Sequence, residues 1–136
     1  MPASPPPVTA LPRGHVFDPA RVELPGDRVR AYAQATDDGS AYAAEGYVPP
    51  LAVAALALGR LLEQCALPPG SLHTGQEVEF HAAVRAGSVL TMTGEITQRS
   101  ERAGMVISVI EFVVGSDDGP VVTGRTTVMA PAEPAP

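Results

Sequence analysis

Apolar and polar positions along this chain change period once, from helical spacing to strand alternation, and the change falls near residue 70. Before it, Asp27–Ala35 places Val29, Tyr32 and Ala33 three and four residues apart, which predicts a short helix stopped by the turn formers Thr36-Asp37-Asp38-Gly39-Ser40. A second helix is predicted to start near Pro50, where a missing N–H costs little. From Leu51 to Cys65 it is apolar almost all round, charged only at Arg60 and Glu63, as for a helix surrounded by protein. Small residues at Ala52, Ala55 and Gly59 are expected to let a sheet approach, and Pro68-Pro69-Gly70 ends the element.

Alternation follows. In His73–His81, Val78 and Phe80 share one face opposite Glu77 and Glu79, which predicts a half-buried strand. Val89–Arg99, Met105–Val114 and Pro120–Met129 are rich in β-branched residues and predict three more strands. Turns at Ala86-Gly87-Ser88, Arg102-Ala103-Gly104 and Asp117-Asp118-Gly119 separate them, so an antiparallel meander is expected after the helix. The stretches 1–13 and 131–136 are proline-rich without apolar periodicity and are expected to be disordered tails around one domain over 14–130.

Composition narrows the function. A chain of 136 residues with 45% hydrophobic and 18% charged residues can bury a core without staples. Its net charge of -6, with no lysine, disfavours nucleic acid and anionic membranes as partners. No basic segment leads into an apolar run at the N-terminus and no stretch suits a membrane span, so the expected location is cytoplasmic. The single cysteine, Cys65, falls on the apolar helix and reads as a small core residue, and no metal or redox cofactor is implied.

One apolar helix must be covered on most sides, while strands with one apolar face each need something to cover, and a curved sheet around the helix satisfies both. The expected class is therefore α+β, an antiparallel sheet wrapped around one long central helix, with the open back of the sheet and the ends of the helix buried against a second copy or a related subunit in a dimer. Residues Val29 to Met129 resemble the MaoC-like and FAS1-like dehydratase branch of the hot-dog superfamily. The resemblance is carried by Gly46-Tyr47-Val48-Pro49-Pro50 and by the strand and glycine turn of Leu72–Leu90.

That resemblance implies an acyl thioester, on coenzyme A or an acyl carrier protein, as substrate. It also implies an aspartate and a histidine that move water onto or off the acyl chain as general acid and base. The thioester oxygen would be polarised by N–H groups at the start of the central helix, here Leu51 or Ala52 beside Pro50. Asp37 and Asp38 stand in the family's aspartate position, and both also suit a cap or turn. The histidine is absent: aligning Asp37 puts Tyr42 in its place, and a phenol with an ordinary pKa of about 10 is a poor base at neutral pH. His15, His73 and His81 lie elsewhere, and eight residues of strand hold the last two about 26 Å apart.

Leu56, Leu58 and Leu61 suit either an acyl pocket or an ordinary core, and Arg85 and Arg125 are candidates to meet coenzyme A phosphates at a subunit boundary. Three functions follow: a subunit without the histidine that shapes the acyl pocket of a heteromeric dehydratase; an active homodimeric hydratase or dehydratase using Asp37 or Asp38 with Tyr42 or a histidine from across the interface; or a hot-dog thioesterase.

Overall fold

The computed structural model describes residues 4–24, 27 and 46–132. Five strands form one antiparallel sheet: β1 (Ala20–Glu23), β2 (Leu72–Phe80), β3 (Val89–Arg102), β4 (Met105–Ser116) and β5 (Gly119–Pro131). The helix α1 (Pro50–Leu62) packs against β1, β3 and β5. Pro50 opens it as expected, but it stops at Leu62, three residues before Cys65.

Along the sheet the strands run β1-β3-β4-β5-β2. The expected meander therefore holds for β3, β4 and β5 only, and β2 crosses over to pair with β5. That crossing makes β2 an edge strand away from the helix, and it is exposed at every residue except half-buried Val78, not half-buried throughout. The sheet has three irregularities, between Ile96 and Gln98 in β3, between His73 and Gly75 in β2, and between Val114 and Gly115 where β4 pairs with β5.

Strand alternation sets the inner face. Leu90, Met92 and Ile96 of β3, Val106, Ile110, Phe112 and Val114 of β4, and Val122, Val128 and Ala130 of β5 are buried around Ala52, Val53, Ala54, Ala57 and Leu61 of α1. Close approach of helix and sheet comes from a strand glycine. A Cβ at Gly94 would lie 2.7 Å from Leu61 Cδ1, whereas Gly59 has nothing within 4 Å and Ala55 is exposed. Gly94 pairs with Phe112, which pairs with Gly124, so the Phe112 side chain lies between two strand positions without side chains.

The N-terminal stretch departs from the expected tail. Val8–Ala10 form a short 3₁₀ turn, and Val8 and Leu11 are buried. Val8 N–H donates to Ala66 O at 2.8 Å and Ala66 N–H to Pro6 O at 2.8 Å, while Arg99 Nη2 donates to Thr9 O at 2.8 Å. Two isolated apolar residues among prolines find a place beside the end of the helix, and the backbone bonds hold them there. At the other end, Pro131 belongs to β5 and 133–136 lie outside the described residues.

One helix backed by an antiparallel sheet is the hot-dog arrangement that the resemblance implies. No helix among the described residues is long and apolar enough to cross a membrane.

Candidate functional site

The start of α1 is fixed from two sides. Val48 N–H donates to Val84 O at 2.7 Å and Ala86 N–H to Gly46 O at 2.8 Å, so the segment after β2 clamps the residues leading into the helix. Gly87 N–H donates in turn to Leu24 O at 2.6 Å, and Leu24 N–H to Ser88 O at 3.2 Å, which ties the same turn to the end of β1. Pro49 and Pro50 then enforce an extended-to-helical change of direction without a side-chain cap.

Two of the first N–H groups are already used: Ala52 donates to Pro49 O at 2.9 Å and Val53 to the same oxygen at 3.3 Å. Pro50 has none to give. Among the described residues no backbone acceptor meets Leu51 N–H, so of the two donors named from sequence Leu51, not Ala52, is the one free to bind. The Leu51 side chain is 63% exposed and Ala52 is fully buried, so the helix start opens outward at Leu51. The helix's partial positive end adds to that N–H and favours developing negative charge beside it.

Arg85 lies beside this point. Its guanidinium is 4.7 Å from the centre of the Tyr47 ring, and Nη2 donates to Tyr47 Oη at 3.2 Å. Arg125 does not share the site. It lies in β5 directly between Glu111 of β4 and Glu77 of β2, on the sheet face opposite the core. Two flanking carboxylates make that a poor phosphate site, so the sheet separates the two arginines that sequence grouped together.

Leu61 is fully buried against Gly94 and belongs to the core, while Leu56 and Leu58 are half-buried. Asp37, Asp38 and Tyr42 lie outside the described residues. All three histidines are described. His15 packs edge-on against Phe17 with ring centres 5.0 Å apart, His81 Nε2 is 2.8 Å from Thr123 Oγ1, and His73 Nε2 shares a hydrogen bond with Thr126 Oγ1. Two of them are thus engaged with threonines of β5 across the β2 ladder. Burial pushes the Cys65 thiol above its ordinary range, which favours the neutral core residue that the sequence suggested. No group of residues fit to hold a metal ion occurs among the described residues.

Residues to which sequence reading gave no role of their own also shape the site. Tyr47 and Val84 hold the approach to Pro49 and Pro50, and their signal was weak because an isolated bridge carries no alternation. At the far end of the helix Gln64 makes two bonds to the Asp18 backbone, Nε2 to O and Oε1 from N–H, both 2.8 Å. Arg60 donates from Nε to Arg21 O at 3.1 Å and pairs with Glu63 at 2.7 Å, so α1 is anchored to β1.

Comparison with known proteins agrees with this geometry. Residues 13–124 match the family model for the FAS1-like dehydratase domain region. No curated protein matches the chain. Among solved structures it is similar to the C-terminally truncated HadBC (3R-hydroxyacyl-ACP dehydratase) complex of Mycobacterium tuberculosis. That match has 25% identity and a TM-score of 0.70, covering 87% of this chain and 96% of that one. The (R)-hydratase of A. caviae involved in PHA biosynthesis matches at 24% identity and TM-score 0.72, over 90% and 98% of the two chains. The ChsH1-ChsH2 complex of M. tuberculosis matches at 18% identity and TM-score 0.70, over 88% and 98%. The last two likenesses speak to the fold alone. A model match over most of the chain, on a sheet and helix of this arrangement, places the protein in the MaoC-like, FAS1-like dehydratase family of hot-dog proteins.

Proposed function

We propose that this chain is the pocket-forming subunit of a heteromeric acyl-thioester hydratase-dehydratase, working with a related hot-dog subunit that supplies the catalytic histidine. The observation that carries the reading is the placement of the histidines. The chain has three, none falls between residues 16 and 72, and each is held on the sheet or the N-terminal segment.

In such a pair the thioester carbonyl would accept from Leu51 N–H, while Pro50 and Ala52 fix the helix end behind it. Water adds to the β-carbon of the enoyl chain with its proton taken by the partner's base, the enolate oxygen gathers charge where the helix end favours it, and a proton delivered to the α-carbon collapses the enolate to the 3-hydroxyacyl thioester. Dehydration runs the same steps backwards. Arg85, pinned on Tyr47 at the mouth of this region, would meet a phosphate of coenzyme A or of a carrier protein's prosthetic arm. The two matched mycobacterial structures that are complexes of two subunits favour the heteromeric reading over a homodimer using Asp37 or Asp38 with Tyr42.

The test is turnover of crotonyl-CoA by the purified chain, followed by loss of enoyl-thioester absorbance, beside an Asp37→Asn, Asp38→Asn double variant. Flat absorbance for both is expected. Turnover by the wild-type chain that disappears in the variant would establish the self-sufficient dyad instead.

A further inference from the structure

β1 is the last strand at the end of the sheet opposite β2, four residues long and paired only to β3 among the described strands. In an antiparallel ladder alternate residues turn both backbone groups toward the neighbouring strand, and the residues between turn theirs outward. Leu24 exchanges bonds with Gly87 and Ser88 beside β3, so by alternation Val22 and Ala20 face β3 while Arg21 and Glu23 face outward. The Arg21 carbonyl is indeed taken from outside the sheet, accepting from Arg60 Nε at 3.1 Å. Just before the strand, Asp18 N–H donates to Gln64 Oε1 and Asp18 O accepts from Gln64 Nε2, both at 2.8 Å.

Three outward backbone groups are thus held by two side chains, Arg60 in the last turn of α1 and Gln64 two residues past its end. Glu63 pins the Arg60 guanidinium from its other side at 2.7 Å. Between α1 and this edge lies a hollow of about 310 Å³ lined by Arg21, Val22, Glu23, Leu56 and Arg60. Val22 is buried and Leu56 half-buried, so the hollow has apolar lining beside a row of backbone donors and acceptors. An added strand needs that combination: ladder bonds for its backbone and a recess for alternate side chains. Pro19 removes one donor ahead of the strand, but Ala20–Glu23 contains neither proline nor lysine to blunt the edge itself.

We propose that Arg60 and Gln64 guard this edge, closing β1 and its hollow to an extended segment of a second copy of the chain. Helices protect sheet edges by covering them. Here the hollow keeps the helix from packing flush, and two polar side chains bridge the gap instead. A strand could add only after the guard's bonds to Asp18 and Arg21 were surrendered and a guanidinium fixed by Glu63 was displaced. The inference does not depend on the catalytic reading above.

The experiment compares the full chain with the double variant Arg60→Met, Gln64→Met, which keeps the aliphatic stems and removes the guard's donors and acceptor. Sedimentation velocity at matched concentrations reads association, and circular dichroism confirms that each protein is folded. The variant is expected to self-associate about tenfold more tightly than wild type, because three edge groups are set free. Adding Arg21→Pro removes the outward N–H of the strand and should return association to the wild-type level. A folded double variant that associates no more than wild type overturns the proposal, as does extra association that Arg21→Pro leaves in place. Should the double variant fail to fold, amide exchange in the wild-type chain decides. Asp18 N–H is expected to exchange at least about tenfold more slowly than an unprotected amide, and exchange at the unprotected rate would show the guard open and overturn the proposal. No readout involves turnover, so failure here and failure of the catalytic reading are told apart.

Discussion

Adding one methyl group at Gly124 would place a Cβ 2.3 Å from Phe112 Cζ, 2.7 Å from Cε1 and 3.0 Å from Cε2. Three atoms of one ring are involved, so the ring as a whole must move. Phe112 is 2% exposed, and its neighbour across the next strand pair is Gly94, itself occupied by Leu61. The ring therefore has little room to yield. Overpacking of this kind costs about 1–3 kcal/mol, against which alanine regains about 0.5–1 kcal/mol of the entropy that glycine loses in a strand. A net loss of about 1–2 kcal/mol corresponds to a Tm lowered by about 4–8 °C for a domain of this size. Urea unfolding followed by circular dichroism measures it, with Phe112→Leu as the second arm. The smaller side chain should relieve the clash, so Gly124→Ala should cost at least about 1 kcal/mol less in the Phe112→Leu background. Gly59→Ala is the control: with open space at its Cβ and a helical backbone, it should stabilise by up to about 1 kcal/mol. Equal costs for Gly124→Ala in both backgrounds, or none in either, would refute the packing argument.

Removing residues 1–12 should lower the urea midpoint, because Val8 and Leu11 leave the core and each buried side chain of that size is worth up to about 1.5–3 kcal/mol; an unchanged midpoint would mean the segment is a passive tail. Ala103 takes a left-handed φ of 52° beside Gly104 at 78° in the two-residue turn between β3 and β4, so Ala103→Gly should stabilise by about 1 kcal/mol, and a loss of stability in thermal melts would contradict the strain. Burial raises the Cys65 thiol pKa in the folded chain, so its contribution is fully present below the ordinary thiol value of 9.0 and is lost as pH rises through the folded value. Stability measured against pH should accordingly fall more steeply above that point for wild type than for Cys65→Ala, and parallel curves would rule the effect out.

Sequence reading found the elements whose information is local. Pro50 announced the helix, and the β-branched residues of Val89–Arg99 and Met105–Val114 announced two long strands with the Arg102-Ala103-Gly104 turn between them. It misplaced β2, because alternation reports which side of a strand is apolar and not which strand it pairs with; the crossing to β5 is a non-local choice. The docking of Val8 and Leu11 was invisible for a related reason, since two apolar residues among prolines show no period until a place for them exists beside Ala66. Gly94 and Gly124 did carry a readable signal. A glycine inside a strand pattern often marks close approach of another group, and the small-residue argument was applied instead to Ala52, Ala55 and Gly59, of which Ala52 is buried and the other two face outward. At the site, Arg85 and Arg125 look equivalent in sequence, and only the register of β5 shows Arg125 enclosed by carboxylates.

The central claim is that the chain shapes an acyl-thioester pocket but does not complete its chemistry alone. Crotonyl-CoA mixed with the purified chain tests this directly, with a competent hydratase in a parallel cuvette to show that the substrate is sound. The account predicts that enoyl absorbance stays flat with this chain alone. A steady fall that Asp37→Asn, Asp38→Asn abolishes would contradict it and assign the missing base to the chain itself.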